Sequence, residues 1–283
     1  MLAYLNLTKP RISLLFAITG LTAILVERNL LKEPLRLWMI IIGIFLVGGS
    51  ANAFNQYFER EIDKIMTRTA NRRPLPQGKI SPLGALLFSL ISGMVGTVLL
   101  WYFGNILAAF LGLGTILFYS FYYTLWLKPR APYNIVIGGI AGAMGPVIAW
   151  VSATGTLNWI PILMFLIIFF WTPPHFWALA LYYKEDYKKV SLPMLPLVIG
   201  DAKTRNQIFY YSLALLPLSL SLYWIHAFKW FYGLFSLLLS LYFIWKAFCV
   251  YRTQETKPCQ ELFRYSIAYL MGLFLVMIVD TLL

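Results

Sequence analysis

Charge is what this chain has least of. Asp, Glu, Lys and Arg make up 12% of its 283 residues, against 60% hydrophobic ones, and a soluble domain carries about twice that charged share. Two stretches carry almost none. Residues 80–127 hold no charged side chain, and residues 131–183 hold none apart from His175 when protonated. Each is long enough for two bilayer crossings. Each therefore reads as a helical hairpin, with a turn at Phe103-Gly104-Asn105 in the first and Thr154 to Asn158 in the second, and a soluble globular domain is excluded. Cysteine is nearly absent as well. Cys249 and Cys259 lack metal-site spacing and are too few for a disulfide scaffold, so both are expected as free thiols. Acidic residues number 11 against 23 Lys and Arg, a net charge of +12. A basic surface for nucleic acid needs stacking aromatics beside it. Here the aromatics lie inside the apolar runs, so the lipid bilayer is the expected partner and nucleic acid is not.

What is present is a succession of nine apolar runs, approximately 12–26, 37–59, 83–102, 106–126, 135–151, 160–181, 208–225, 230–250 and 264–283. They predict an all-α polytopic membrane protein, with residues 1–283 forming one domain of nine transmembrane helices. Basic residues in the loops test that count. With the N-terminus inside, only Arg28, Lys32, Arg36 and Lys229 fall outside, and the other 19 of the 23 fall on the cytoplasmic side. This alternation predicts a cytoplasmic N-terminus and an external C-terminus. Only a short segment precedes the first helix, without the features of a transit peptide, and the expected location is a prokaryotic cell (inner) membrane.

Against this background the acidic residues stand out. If the second helix continues through Asp63, then Asn55, Glu59 and Asp63 lie at i, i+4 and i+8, offset by about 40° and 6 Å per step. They form one polar stripe, with Asn52 and Gln56 beside it and Glu61 turned away. Such oxygen donors suit Mg²⁺, which takes a few carboxylates and completes its shell with water and phosphate oxygens. Arg68, Arg72 and Arg73 follow directly, and guanidinium groups bind phosphate in a fork. The plainer alternative is a charged helix end surfacing into cytoplasm. The sixth run ends similarly, with Lys184, Glu185 and Asp186 followed by Lys188 and Lys189. Both acidic clusters precede Leu-Pro segments and face the same side, a faint repeat four helices apart that offers a second wall. Within the sixth run, Pro173 and Pro174 predict a kink, and His175 lies about 16 Å deeper than Asp186. His175 fits two roles equally, satisfying the freed carbonyls or serving a substrate. Lys9-Pro10-Arg11 reads as an inside anchor that could also reach the same cavity.

These residues resemble the UbiA superfamily of intramembrane prenyltransferases, over nearly the whole chain from LTKPRI (Leu7 to Ile12) to the last helix. The superfamily's NxxxDxxxD motif is matched by Asn55, Glu59 and Asp63, with Glu in the middle position. Its DxxxD motif is incomplete, because Asp186 fits the last position while Tyr182 stands at the first. NRRPLP, the segment Ala131 to Trp150, and TPPHFWALA running into EDYKKVSLPMLP resemble the branch that farnesylates heme. The resemblance implies nine helices around a central cavity, with a polar mouth toward the cytoplasm and an apolar isoprenoid tunnel. It implies one or two Mg²⁺ held by Asn55, Glu59, Asp63 and Asp186. It also implies positive charge for a diphosphate from Arg68, Arg72, Arg73, Lys184 and Lys188, with Lys9 and Arg11, and a heme contact by His175. Farnesyl diphosphate and heme B are the implied substrates, heme being a substrate rather than a bound cofactor. Heme O is the implied product, passing to a downstream heme-modifying enzyme. An aromatic prenyltransferase of quinone biosynthesis shares the metal-diphosphate half, but the incomplete second motif and the TPPHFW stretch argue against it. An ion-coupled membrane transporter is more remote, because both acidic sets gather at one face.

Overall fold

The computed structural model describes residues 2–283, and the described residues contain helices and no strand. Among the described residues nine helices are long: α1 (Pro10–Glu27), α2 (Pro34–Phe58), α3 (Pro82–Leu99, continued by π-helical Leu100–Gly104), α4 (Ile106–Leu117, continued by π-helical Phe118–Leu127), α5 (Asn134–Thr154), α6 (Trp159–Tyr182), α7 (Asp201–Trp224), α8 (Trp230–Arg252) and α9 (Lys257–Leu282). Eight of them are long and apolar enough to cross a membrane. The exception is α7, whose first turns carry Asp201, Lys203 and Arg205 and whose body carries Ser212, Ser219 and Ser221. The last helix begins at Lys257, ahead of the apolar run, because its polar first turns are helical too; there Glu261 pairs with Lys246 of α8 at 2.9 Å.

Local chemistry sets the helix ends. Pro10, Pro34 and Pro82 open α1, α2 and α3, a position where the missing N–H costs nothing. Asn105 caps α4 by accepting from the Ala108 N–H at 2.9 Å, and Asn158 caps α6 by accepting from the Ile160 N–H at 3.0 Å. These are the two hairpin turns expected from sequence, the second helped by Gly155 at φ +74°.

One expectation is corrected. The second helix does not run on through Asp63: α2 ends at Phe58, Glu59 leaves helical geometry at φ −89°, ψ 4°, and a short helix resumes over Arg60–Ile65. The polar stripe survives because the Glu59 N–H donates to the Asn55 carbonyl at 3.0 Å and the Asp63 N–H to the Glu59 carbonyl at 2.8 Å. The four-residue spacing is thus kept across the break.

The chain divides into two compact units. One runs to Arg130 and adds residues 144–157 and 189–192; the other comprises residues 131–143, 158–188 and 193–283. In the first, α2 and α3 meet through small residues, as helices in lipid do. A Cβ on Gly96 would lie 3.0 Å from the Gly43 carbonyl oxygen and 3.1 Å from the Val47 nitrogen, both rigid backbone. Two turns away the Ser50 hydroxyl donates to the Ser89 carbonyl at 2.7 Å. In the second unit, buried polar groups join α7, α8 and α9. Ser219 and Ser240 lie 2.8 Å apart, Ser240 and Tyr269 3.2 Å, and the Tyr232 hydroxyl donates to the Ser219 carbonyl at 2.7 Å. Asp280 of α9 caps α8, accepting from the Lys229 and Tyr232 N–H groups at 2.8 and 2.9 Å. The buried Arg205 guanidinium donates to the Val250, Gln254 and Glu255 carbonyls at the other end of α8.

Close contact between α2 and α3 gives a direct test. Gly96→Leu is expected to lower stability by about 1–3 kcal/mol, read as a fall in the thermal unfolding midpoint in detergent. Gly142→Ala, where an added Cβ meets nothing within 4 Å, is expected to leave that midpoint unchanged or slightly raised.

Candidate active site

The first acidic cluster is buried rather than surfacing. Asn55, Glu59 and Asp63 are 2%, 6% and 1% exposed. A carboxylate so placed needs a partner, and each has one. Arg73 pairs with Asp63 and also reaches Glu59 at 3.3 Å, while Lys128 pairs with Glu59 through its other oxygen. Lys9 donates to the Asn55 side-chain oxygen at 2.8 Å, and the Asn55 amide nitrogen donates to Thr124 Oγ1 at 3.3 Å. The second turn of the stripe is equally tied down. Asn52 donates to Ser13, and Gln56 donates to the Asn6 and Leu7 carbonyls. Burial alone would raise the Glu59 carboxyl, but Lys128, Arg73 and Lys9 together hold it down to about 2. Glu61, in contrast, is exposed and pairs with Lys64 at 2.8 Å.

Two backbone irregularities aim the cations. Lys9 sits between the short helix Leu2–Leu7 and α1 at φ 49°, ψ 67°. This left-handed conformation costs a non-glycine residue about 1–3 kcal/mol, and it carries the amine to Asn55. The second irregularity is the ten-residue π-helical end of α4. Its wider turns let the Thr124 hydroxyl donate five residues back to the Tyr119 carbonyl at 2.8 Å and the Lys128 N–H to the Tyr123 carbonyl at 2.8 Å. In this register Thr124 meets Asn55 and Lys128 meets Glu59. Such π-helical segments recur at functional sites.

The other basic residues expected here lie at different depths. Arg68 is half-buried, while Arg11 and Arg72 are exposed. Conversely, the sequence reading assigns Lys128 to membrane orientation alone and does not single out Thr124. Only the position of Lys128, the first charge after a 48-residue uncharged run, hints at its role.

In the second unit, Asp186 is buried in the short helix Lys184–Lys189. Lys184 forms an ion pair with Asp201 at 2.7 Å, and Lys188 is exposed. Lys189, which belongs to the first unit, donates to Thr67 Oγ1 at 3.2 Å. His175 takes neither freed carbonyl as its partner. The helix runs through Pro173 and Pro174, and Nδ1 of His175 lies 2.6 Å from Ser266 Oγ on α9. Its ring stacks on Trp171 and Phe263 at centroid distances of 4.4 and 4.6 Å.

A polar stripe of two carboxylates and an amide, buried at the end of an apolar helix and caged by cations, can bind metal and diphosphate together. The UbiA prenyltransferase family matches residues 13–276 of the sequence. The chain belongs to that family. It is 45% identical to the protoheme IX farnesyltransferase of Gloeobacter violaceus over 279 residues, covering 98% of this chain and 91% of the relative. To the protoheme IX farnesyltransferase of Acidiphilium cryptum it is 42% identical over 286 residues, covering 98% and 90%. Among solved structures, a digeranylgeranylglyceryl phosphate synthase superposes with a TM-score of 0.81 at 22% identity, over 99% of this chain and 97% of that one. A UbiA homolog from Archaeoglobus fulgidus bound to DMAPP and Mg²⁺ gives 0.66 at 16% identity, over 96% and 98%. These two likenesses bear on the fold. Long apolar helices and UbiA membership together make this a multi-pass membrane protein.

The donor set suits magnesium. Among the described residues no three His, Cys, Asp or Glu side chains converge. Glu59 and Asp63 nonetheless supply two hard, buried carboxylates beside the Asn55 amide, and Mg²⁺ takes one or two carboxylates with the remainder from water and phosphate. Arg73→Met, which strips Asp63 of its cation, is expected to cost about 3–5 kcal/mol of stability. Thermal unfolding in EDTA should show the loss, and millimolar Mg²⁺ should recover part of it in this variant but not in Arg73→Met combined with Glu59→Gln and Asp63→Asn.

Proposed function

We propose that this chain transfers the farnesyl group of farnesyl diphosphate to the 2-vinyl group of heme B, releasing diphosphate and forming heme O in a Mg²⁺-dependent reaction. The observation that carries the reading is the buried Asn55–Glu59–Asp63 stripe inside its cage of Lys9, Arg73 and Lys128. Arg73 and Lys128 offset the two carboxylates, while burial pushes the Lys9 amine well below its ordinary value. A prenyl diphosphate carries about three negative charges near neutral pH, so divalent metal is needed to offset it. The names of the curated relatives support heme as the acceptor.

Asn55, Glu59, Asp63 and Asp186 would hold one or two Mg²⁺. A bound Mg²⁺ supplies Lewis-acid charge to the diphosphate oxygens. Arg73 and Lys128, displaced from the carboxylates, turn their charge to the diphosphate, together with Lys9, Arg11, Arg68, Arg72, Lys184 and Lys188. The C1–O bond of the farnesyl group breaks, with its electron pair leaving on diphosphate. The terminal vinyl carbon of heme bonds to C1, and water adds at the neighbouring carbon with loss of a proton. No enzyme nucleophile takes part, and His175 contacts the heme. The whole chain works as one prenyltransferase domain in a prokaryotic cell membrane, N-terminus cytoplasmic and C-terminus outside. A downstream heme-modifying enzyme receives the product.

Purified protein incubated with Mg²⁺, farnesyl diphosphate and either heme B or a hydroxybenzoate, followed by mass spectrometry of the acceptor, tests the proposal. Heme B is expected to gain a hydroxyfarnesyl adduct, hydroxybenzoate to remain unchanged, and EDTA to abolish turnover. Asp63→Asn is expected to lower kcat at least about 100-fold, the scale of losing a few kcal/mol of leaving-group stabilisation. Prenylated hydroxybenzoate with unmodified heme would move the assignment to quinone biosynthesis.

A further inference from the structure

One arrangement in the second unit is not used by the metal-diphosphate chemistry. His175 is clamped by Trp171, Phe263 and Ser266, and the Phe176 ring meets it edge-on at a centroid distance of 4.9 Å. Trp171 and Phe263 stack on it with interplanar angles of 20° and 27°, and two near-parallel rings at those distances fit only on opposite faces. Nδ1 meets Ser266 Oγ at 2.6 Å on the third side. Ser266 is itself fixed, because its hydroxyl lies 2.7 Å from the Phe263 carbonyl and its own carbonyl accepts from Trp171 Nε1 at 2.7 Å.

These distances determine the proton positions. A hydroxyl has one proton and two lone pairs. The Phe263 carbonyl can only accept, so the Ser266 proton goes there. The short contact to His175 is then relieved only if Nδ1 carries a proton and donates it to Ser266. If Ser266 donated to His175 instead, two oxygen lone pairs would face each other at 2.7 Å. The imidazole is therefore the Nδ1–H tautomer, as assigned from this hydrogen-bond network, and its lone pair lies on Nε2. Nε2 has no hydrogen-bond partner among the described residues, yet it is not sealed: the residue keeps 8% of its surface open.

A ring locked in plane and tautomer, with one bare nitrogen, is what a metal-ligating histidine needs, and the partner of the other nitrogen sets its basicity. We propose that Ser266 is a positioning residue that holds His175 with its Nε2 lone pair presented to the iron of the porphyrin acceptor. The inference rests on the reading of the chain as a heme farnesyltransferase and deepens it. Iron ligation fixes the distance of the porphyrin plane from Nε2 and limits its tilt.

The test uses purified full-length protein with heme B, and with metal-free protoporphyrin IX as control. Resonance Raman spectra of the ferrous complex are expected to show an iron–histidine stretch that disappears in His175→Gly and returns on adding imidazole. Ser266→Ala is expected to shift that stretch to lower frequency and weaken heme B binding about tenfold or more. The same variant should leave protoporphyrin IX binding and farnesyl diphosphate binding as in wild type, which a folding defect would not. Ser266→Thr, which keeps the hydroxyl, should restore both heme readouts. An iron–histidine stretch that persists in His175→Gly without imidazole, or an unshifted stretch in Ser266→Ala, overturns the inference. If wild type makes heme O while either of those results is seen, the positioning role falls and the proposed function stands. If wild type neither binds nor converts heme B, both fall together.

Discussion

A carboxylate at the end of a membrane helix cannot remain both dry and unpaired. The cost of isolating such a charge far exceeds the stability of a typical fold, so placing Glu59 and Asp63 in the interior obliges the chain to bring cations to them. Arg73 comes from the loop after the short helix Arg60–Ile65 and Lys128 from the end of α4, and Lys9, from the approach to α1, bonds the neighbouring Asn55. The irregular backbone in this unit follows from that obligation. A left-handed residue before a proline and ten residues of π-helix are unfavourable alone, and both persist where they deliver a cation or its hydrogen-bonding neighbour to the acidic stripe.

The same ion pairs suit turnover. The pairs of Arg73 and Lys128 with Glu59 and Asp63 neutralise the buried carboxylates without metal, and in the proposed reaction the same cations would meet the diphosphate. In the proposed reaction, opposite charges would exchange partners as substrate and metal arrive, without any charge being left bare. The arrangement is a store of neutralised charge rather than a rigid receptor.

Much of this was legible in the sequence, for identifiable reasons. The two uncharged runs between Lys79 and Lys128 and between Arg130 and Lys184 define helical hairpins because no charge can sit in lipid, and their turns fall where Asn105 and Asn158 cap the next helix. The i, i+4, i+8 spacing marks Asn55, Glu59 and Asp63 as one stripe. The break at Glu59 was not legible, because it depends on how the following loop folds back, and four-residue spacing reads the same with or without it. Lys128 escaped notice for a similar reason. Its register is set by π-helical turns, which no residue pattern in FYSFYYTLWL announces. Ser266 lies 91 residues from His175, and no local rule connects them. Lys184 was expected to lend its charge to a diphosphate, and in the structure it is engaged by Asp201, a residue that composition counts only as one more acid.

Helix α7 differs from the other long helices in a way that bears on biogenesis. Its serines and charged first turns make it the least lipid-soluble of the nine; the Ser219 hydroxyl donates within α7 to the Leu215 carbonyl, but its polar contacts to Ser240 and Tyr232 form only when α8 arrives, and Tyr269 of α9 extends that network through Ser240. A nascent chain emerging from the insertion machinery exposes α7 before those partners exist. Its stable residence in the bilayer is therefore coupled to synthesis of the last two helices, so a ribosome stalled before α9 would leave a segment prone to slip back to the aqueous side and be recognised by quality control.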